Sequence, residues 1–521
     1  MSQCDGKRPS CGQCLKLGLK CDGYESRTGT VFVNVTTGHF TPRLPEGEGE
    51  RDGAGDGRGE EGSRGEPSSS SSSSRQVTLP DLLALSAYEQ KYLAVFWDMY
   101  LPGQRQFPHH ITRYTGGGWT NALPRLFGLS PPVRKALLAM CLTAAGQTEG
   151  RTWEKQEGLR SYMSSLKDMS TALACPGRAD SNVITLCVAS RLSSLYEALF
   201  GRDEHDKINN QQSRNWRNHI QGELAVLTRQ PPEYYVSGYL HQLFVDGRFH
   251  LTAGAIHMRK KTVLSNAEWK TVPWTAVPKT PKDLLIDIFV DMPTILQDLD
   301  ALQACPDPAS QSLMQDQLVQ KCLACERELV AWRASVGVVE ANYAFYNVDT
   351  GTDTDNLNPH ASFSFSIDRI AAAHIMCLYW SICIIVYSTL RTLSLSFSLS
   401  SHSHPQAHPP LPLPLTQTID PAVYCRRIAE AVPLLLHPRS GVYGFHLTTF
   451  PVAMALTYLS RDGHEYEEKT MILDAFATSH HGSAVGGFIA SLHRQQQQRQ
   501  QPQHTIPSVP AQLAGEPSLS G

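Results

Sequence analysis

Four cysteines crowd the amino-terminal end of the chain, at Cys4, Cys11, Cys14 and Cys21, in the spacing C-x6-C-x2-C-x6-C. Thiolates this close in sequence suit tetrahedral zinc, which favours sulfur ligands and closed structural sites. Lys7, Arg8, Lys16 and Lys20 stand among them. Their charge lowers thiolate pKa and attracts a phosphate backbone. Spacing alone also admits a set of unrelated free thiols, so the residues between the cysteines matter.

Those residues read Cys4-Asp5-Gly6-Lys7-Arg8-Pro9-Ser10-Cys11-Gly12-Gln13-Cys14, then Cys21-Asp22-Gly23-Tyr24. The run resembles the second half of the fungal Zn2Cys6 binuclear cluster, the DNA-binding module of a large transcription-factor family. The resemblance implies six cysteines that hold two zinc ions, two of the six bridging both metals. Carried over by position, Cys4 is the third ligand, Cys11 the fourth and a bridging one, Cys14 the fifth and Cys21 the sixth. Lys7 and Arg8 are then phosphate contacts. The family's first C-x2-C pair, and the basic segment that enters the major groove, belong upstream of Cys4. Met1, Ser2 and Gln3 stand there instead. The expectation is an N-terminally incomplete cluster, with two zinc ions in the intact family module and one or none in this chain. Double-stranded DNA is the partner when the cluster is complete.

At 521 residues the chain exceeds one ordinary domain. Its 41% hydrophobic and 18% charged content fits a globular protein with polar insertions. A net charge of −3 gives no global attraction for nucleic acid, so DNA binding must come from a local patch. Thirteen cysteines, most of them scattered, make no disulfide framework and fit a reducing compartment, cytosol or nucleus. No basic-then-apolar leader opens the chain, so no signal peptide is expected.

Composition shifts divide the sequence. The partial cluster module occupies 1–40. Residues 41–77, rich in Gly, Glu and Ser, bury too little to fold and read as a disordered linker. A large helical domain spans 78–494, with a Ser/Leu- then His/Pro-rich low-complexity insertion at 393–416, and a Gln-rich disordered tail covers 495–521. Apolar residues recur at three and four from Tyr88 to Met99, after a capping-box pattern at Ser86 and Glu89. Ser130-Pro131-Pro132 reads as an N-cap followed by proline in the first turn, with the helix ending near Gly146. Further helices are expected over Val183–Phe200, Trp216–Leu227, Tyr239 to about Leu264, Asp283–Leu302 with Pro293 as a break, and Ala309–Trp332. Helical sequence resumes from Ile419, at Phe450–Tyr458 and at Glu467–Phe476. Few segments alternate with period two, so the fold class is mostly α.

The block from Trp216 to Trp274 carries a second resemblance. Trp216-Arg217-Asn218-His219-Ile220, Gly222-Glu223, Leu243-Phe244, Asp246, Arg248 and Glu268-Trp269 through Pro273-Trp274 are similar to the fungal-specific transcription-factor regulatory domain. That resemblance implies an all-helical domain over roughly 78–492, regulated by small molecules or co-regulators. A homodimer is a further partner it leaves open.

Ile370–Leu390 is the most apolar stretch and is long enough to span a bilayer. His374, Ser381 and Ser388 within it favour a buried central helix, and no membrane partner is expected. Cys322 and Cys325 share the apolar face of a helix and read as core thiols. The basic run Arg259-Lys260-Lys261 fits DNA contact, a nuclear signal or a solvated helix end alike. No catalytic constellation is present, and no enzyme is expected. The leading expectation is a nuclear, sequence-specific RNA polymerase II transcription regulator. The alternative is a regulatory or scaffold relic that keeps the helical domain without binding DNA.

Overall fold

A computed structural model describes residues 81–102, 107–174, 182–201, 211–337, 367–401, 420–460, 466–479, 485–492 and 494. All of them lie within the unit that runs from Thr78 to Gly521. Among the described residues there are helices and turns and no strand. The longer helices are, in chain order, α1 (Asp81–Tyr100), α2 (Pro131–Thr148), α3 (Thr152–Ala174), α4 (Val183–Phe200), α5 (Gln211–Leu227), α6 (Gly238–Met258), α7 (Pro281–Phe289), α8 (Met292–Ala304), α9 (Pro308–Gly337), α10 (Ile367–Ser401), α11 (Ala422–Leu435), α12 (Gly441–Leu459) and α13 (Glu467–Thr478).

The apolar stretch expected to be a central helix is α10. Its Ile370, Ile375, Ile382 and Val386 are fully buried. Helices α9, α11 and α12 pack around it, with α8 also in contact. Two helices, Val183–Phe200 and Ile367–Leu395, are long and apolar enough to cross a membrane, and both are mostly buried inside the helical body. A helix that is apolar all round must be enclosed by others, which is what α10 achieves.

Local sequence explains most of the helix ends. The Ser130 side chain accepts from the Val133 N–H at 3.4 Å, and Pro131-Pro132 fill the first turn of α2, where a missing N–H costs nothing. Pro293 sits in the first turn of α8, so the stretch read as one helix from Asp283 to Leu302 is divided into α7 and α8. Thr280 and Asp283 form a reciprocal capping box at the start of α7. Cys322 and Cys325 are buried, as expected of core thiols, and burial pushes both up to about 12.

Several boundaries differ from the expectations. Ser86 is inside α1, which starts at Asp81; the good helix formers Leu82-Leu83-Ala84-Leu85 carry the helix upstream of the apparent capping box. Helix α2 does not end near Gly146 but runs to Thr148, and α3 follows it unannounced by any strong periodicity. The two helices pack closely because glycines face the contact. A Cβ at Gly158 would stand 2.2 Å from Thr143 Oγ1, and one at Gly146 would stand 2.8 Å from the Lys155 nitrogen. Helix α6 stops at Met258, where Arg259 takes a left-handed conformation at φ 51°. Val263 and Leu264 only mimic its continuation; Leu264 reaches the core from a short 3-10 turn. Asn266 is the N-cap of the short helix Ala267–Thr271 that follows. The insertion expected from 393 begins later, since α10 continues to Ser401 with Leu393 buried. Its remainder, and the linker and tail, lie outside the described residues.

Replacing Ile382 with Ala removes a fully enclosed side chain from α10. The expected loss is about 2–5 kcal/mol of unfolding free energy, read from urea titration of the full chain; a loss under about 0.5 kcal/mol would show that α10 is not the packing centre.

Candidate functional site

Cys4, Cys11, Cys14, Cys21, Lys7 and Arg8 all lie outside the described residues. Among the described residues no group of three or more His, Cys, Asp or Glu side chains is placed to hold a metal ion. What the helical body does contain is a cavity of about 340 Å3, lined by α4, α5, α6, α8, α10, α12, α13 and residues 485–492. Interiors are packed like organic crystals, with few voids larger than one water. This one is partly open to solvent, with the exposed Leu473 on its wall, so it is not a closed packing void. The volume instead falls within the ~300–1,000 Å3 typical of small-molecule sites.

The wall is mainly Leu195, Ile220, Phe249, Ile385, Phe450 and Ile489, with polar groups at one end. That end is built by a buried ion cluster. Glu223 of α5 has no exposed surface, and it accepts from Arg191 Nε of α4 at 3.1 Å and pairs with His250 Nε2 of α6 at 2.8 Å. Burial alone would raise the Glu223 pKa; the charges and hydrogen bonds of Arg191 and His250 outweigh it and hold the carboxyl below its usual range. Arg191 also donates to the Leu243 carbonyl at 3.0 Å and stacks over the Trp119 ring at 5.1 Å. Its Nη1 has no hydrogen-bond partner. Next to this cluster, His446 of α12 lines the cavity, and its Nδ1 is 3.5 Å from the Tyr100 hydroxyl. Burial, then the positive charge of His250 and Arg191, lower the His446 pKa to about 3.

The block resembling the regulatory domain supplies this chemistry. Trp216, Ile220 and His250 are on the cavity wall, and Glu223 holds the two basic groups in place. Asp246 accepts from Lys282 Nζ at 2.8 Å and from the Trp119 N–H at 2.9 Å. Arg248 is paired with Asp287 and lies 4.6 Å over the Trp274 ring. The basic residues of α6 and its end therefore do not form one surface. Arg248 and His250 are internal, Arg259 is bound in a bidentate pair to Asp300 of α8, and Lys260 and Lys261 are exposed. Sequence reading found these positions but not their pairing, because their partners are dozens of residues away.

Residues 2–30 match the fungal Zn(2)-Cys(6) binuclear cluster domain. No curated protein and no solved structure matches the chain. The matched zinc-cluster segment holds Cys4, Cys11, Cys14 and Cys21 together with Lys7 and Arg8. The chain thus carries a segment of the module by which fungal transcription regulators bind DNA, and zinc is the metal of that module. Four thiolates fill the tetrahedral shell of one zinc ion. The six-cysteine cluster needs two more than the matched segment contains.

The interior of the body makes its stability sensitive to acid. His374 of α10 bonds the Thr115 hydroxyl at 2.9 Å. Burial, then the charges of His446 and Lys282, lower its pKa to about 3. The folded chain keeps this ring neutral while an unfolded histidine protonates below ~6.5. The unfolded state then binds the extra proton, so stability falls as pH drops from ~6.5 toward 3. The His374 contribution is about 2 kcal/mol at pH 5. Urea midpoints at pH 7 and pH 5 should diverge in the parent chain and converge by that amount in His374→Gln; an unchanged difference would contradict the neutral ring.

Proposed function

We propose that this protein is a nuclear, sequence-specific RNA polymerase II transcription regulator, with DNA contact through the zinc-cluster segment and control through the helical body. The observation that carries the reading is the match of residues 2–30, a segment that contains four cysteines. In this reading Cys4, Cys11, Cys14 and Cys21 hold zinc. The metal supplies the folding energy of a segment too short to bury a core of its own. Lys7 and Arg8 neutralise phosphates and so set affinity rather than sequence choice. The helical body is the regulatory partner of that segment, and its cavity is the place where a small molecule acts. Catalysis has no part in this assignment.

Two measurements test it together. A tagged chain expressed in a fungal host should concentrate in the nucleus and be enriched at a limited set of promoters. Cys11→Ser with Cys14→Ser should abolish that enrichment and the zinc content of the purified chain. Each phosphate-contacting lysine or arginine lost should reduce the slope of log affinity against log salt by roughly 1. Promoter enrichment that survives loss of both cysteines would overturn the zinc-cluster mechanism. Absence of enrichment in the parent would leave a helical regulator that does not read DNA.

A further inference from the structure

The cavity of the helical body has a wall of one electrical character. Besides a tyrosine, its ionisable side chains among the described residues are Arg191, Arg259, Lys469, His250, His257 and His446, and no carboxylate is among them. The acids that balance Arg191 and Arg259, namely Glu223 and Asp300, stand behind the wall rather than on it. The hydroxyls of Ser194, Ser388, Thr449 and Thr457 are turned back to carbonyls of their own helices. Those hydroxyl protons are spent inside the helices, so the donors left for a ligand are on the basic side chains of the wall. Arg191 Nη1 is buried with no partner. His446 meets the Tyr100 hydroxyl at Nδ1, 3.5 Å away; in the tautomer that accepts there, its proton is on Nε2 and free for a ligand. Burial is the main cause that lowers the His446 pKa; the charges of His250 and Arg191 add to it, and those charges also attract an anion.

We propose that this cavity binds an amphipathic organic anion, a long-chain carboxylic acid, with its hydrocarbon against Leu195, Phe249, Ile385 and Phe450 and its carboxylate at the Arg191–His446 end, accepting from His446 Nε2. A carboxylate there meets donors that no protein group satisfies, and the chain displaces water from apolar walls. Hydrocarbon length then adds affinity by about fourfold per methylene, the equivalent of ~0.8 kcal/mol, until the cavity is full. The proposal gives a ligand class to the regulatory cavity invoked above, and it is measured without DNA, so its failure is separable from failure of the zinc-cluster reading.

The test is isothermal titration of the purified full chain with dodecanoate and with 1-dodecanol. Dodecanoate should bind, and the alcohol should bind at least tenfold more weakly. His446→Leu should weaken dodecanoate by roughly tenfold or more and leave the alcohol unchanged, while Lys469→Met should change neither by more than about twofold. Ala253→Trp and Ser388→Phe each fill the cavity. Whichever retains parental helical circular dichroism should bind neither probe. Equal affinity for acid and alcohol, loss in Lys469→Met instead of His446→Leu, undiminished binding in a folded cavity-filling variant, or no binding of dodecanoate by the parent would each overturn the proposal.

Discussion

The body of this protein is organised around one carboxylate that water cannot reach. Glu223 is wholly buried on α5, and it is acceptable there only because Arg191 from α4 and His250 from α6 approach it from two other helices. An ion cluster of this kind is weak evidence for stability, since apolar residues of the same shape often serve as well. Its consequence is placement. Arg191 is tied at once to Glu223, to the Leu243 carbonyl and to the face of Trp119. That over-determined geometry fixes where three helices meet and which polar atoms border the cavity. Gly247 belongs to the same arrangement: a Cβ there would stand 2.6 Å from Arg191 Nη2.

The same logic runs along α6. From Leu243 to Ile256 every residue is buried. A helix enclosed on all sides has no solvated face on which to put its charges, so Asp246, Arg248 and His250 must each find a partner inside. They find Lys282 and Asp287 on or beside α7 and Glu223 on α5. Asp246 shows the balance of terms: burial alone would raise its pKa, and Lys282 with two further hydrogen bonds lowers it below the ordinary carboxylate value. Each pair joins α6 to another helix, which makes α6 the axis around which the Trp216–Trp274 block packs.

What the sequence made legible follows from range. Signals carried within one or two helical turns were readable: the Ser130-Pro131-Pro132 start, the Pro293 break and the α4 span from Val183 to Phe200. The helical class was readable too, because no segment of the described body alternates. Features set by contacts between distant segments were not readable. The close packing of α3 on α2 was not readable, because it rests on Gly146 and Gly158, residues that locally suggest an end or a break. The ion pairs of Arg248 and Arg259 were not readable, because Asp287 and Asp300, which take up their charge, lie 39 and 41 residues away. The cavity was invisible for the same reason. Its walls come from seven of the numbered helices and residues 485–492, and each apolar wall residue by itself looks like ordinary core.

That origin also bears on how an occupant acts. A ligand that binds the folded body and not the unfolded chain stabilises it by mass action, by ~2.7 kcal/mol at a hundredfold excess over Kd. It changes the balance between two folded arrangements only if it binds one of them better. The walls here include α13 and residues 485–492, which meet α4, α5 and α6 across the cavity rather than along the sequence. Trp216 of α5 packs edge-on against Phe488 at 5.4 Å, so part of the contact between the early and late helices runs around the cavity rim. Filling the space adds contacts between those two sets of helices that neither makes alone. For the ligand proposed above, the physical route to a change in the body's shape would be the docking of its last described helices, with the ion cluster at Glu223 as the frame against which they dock.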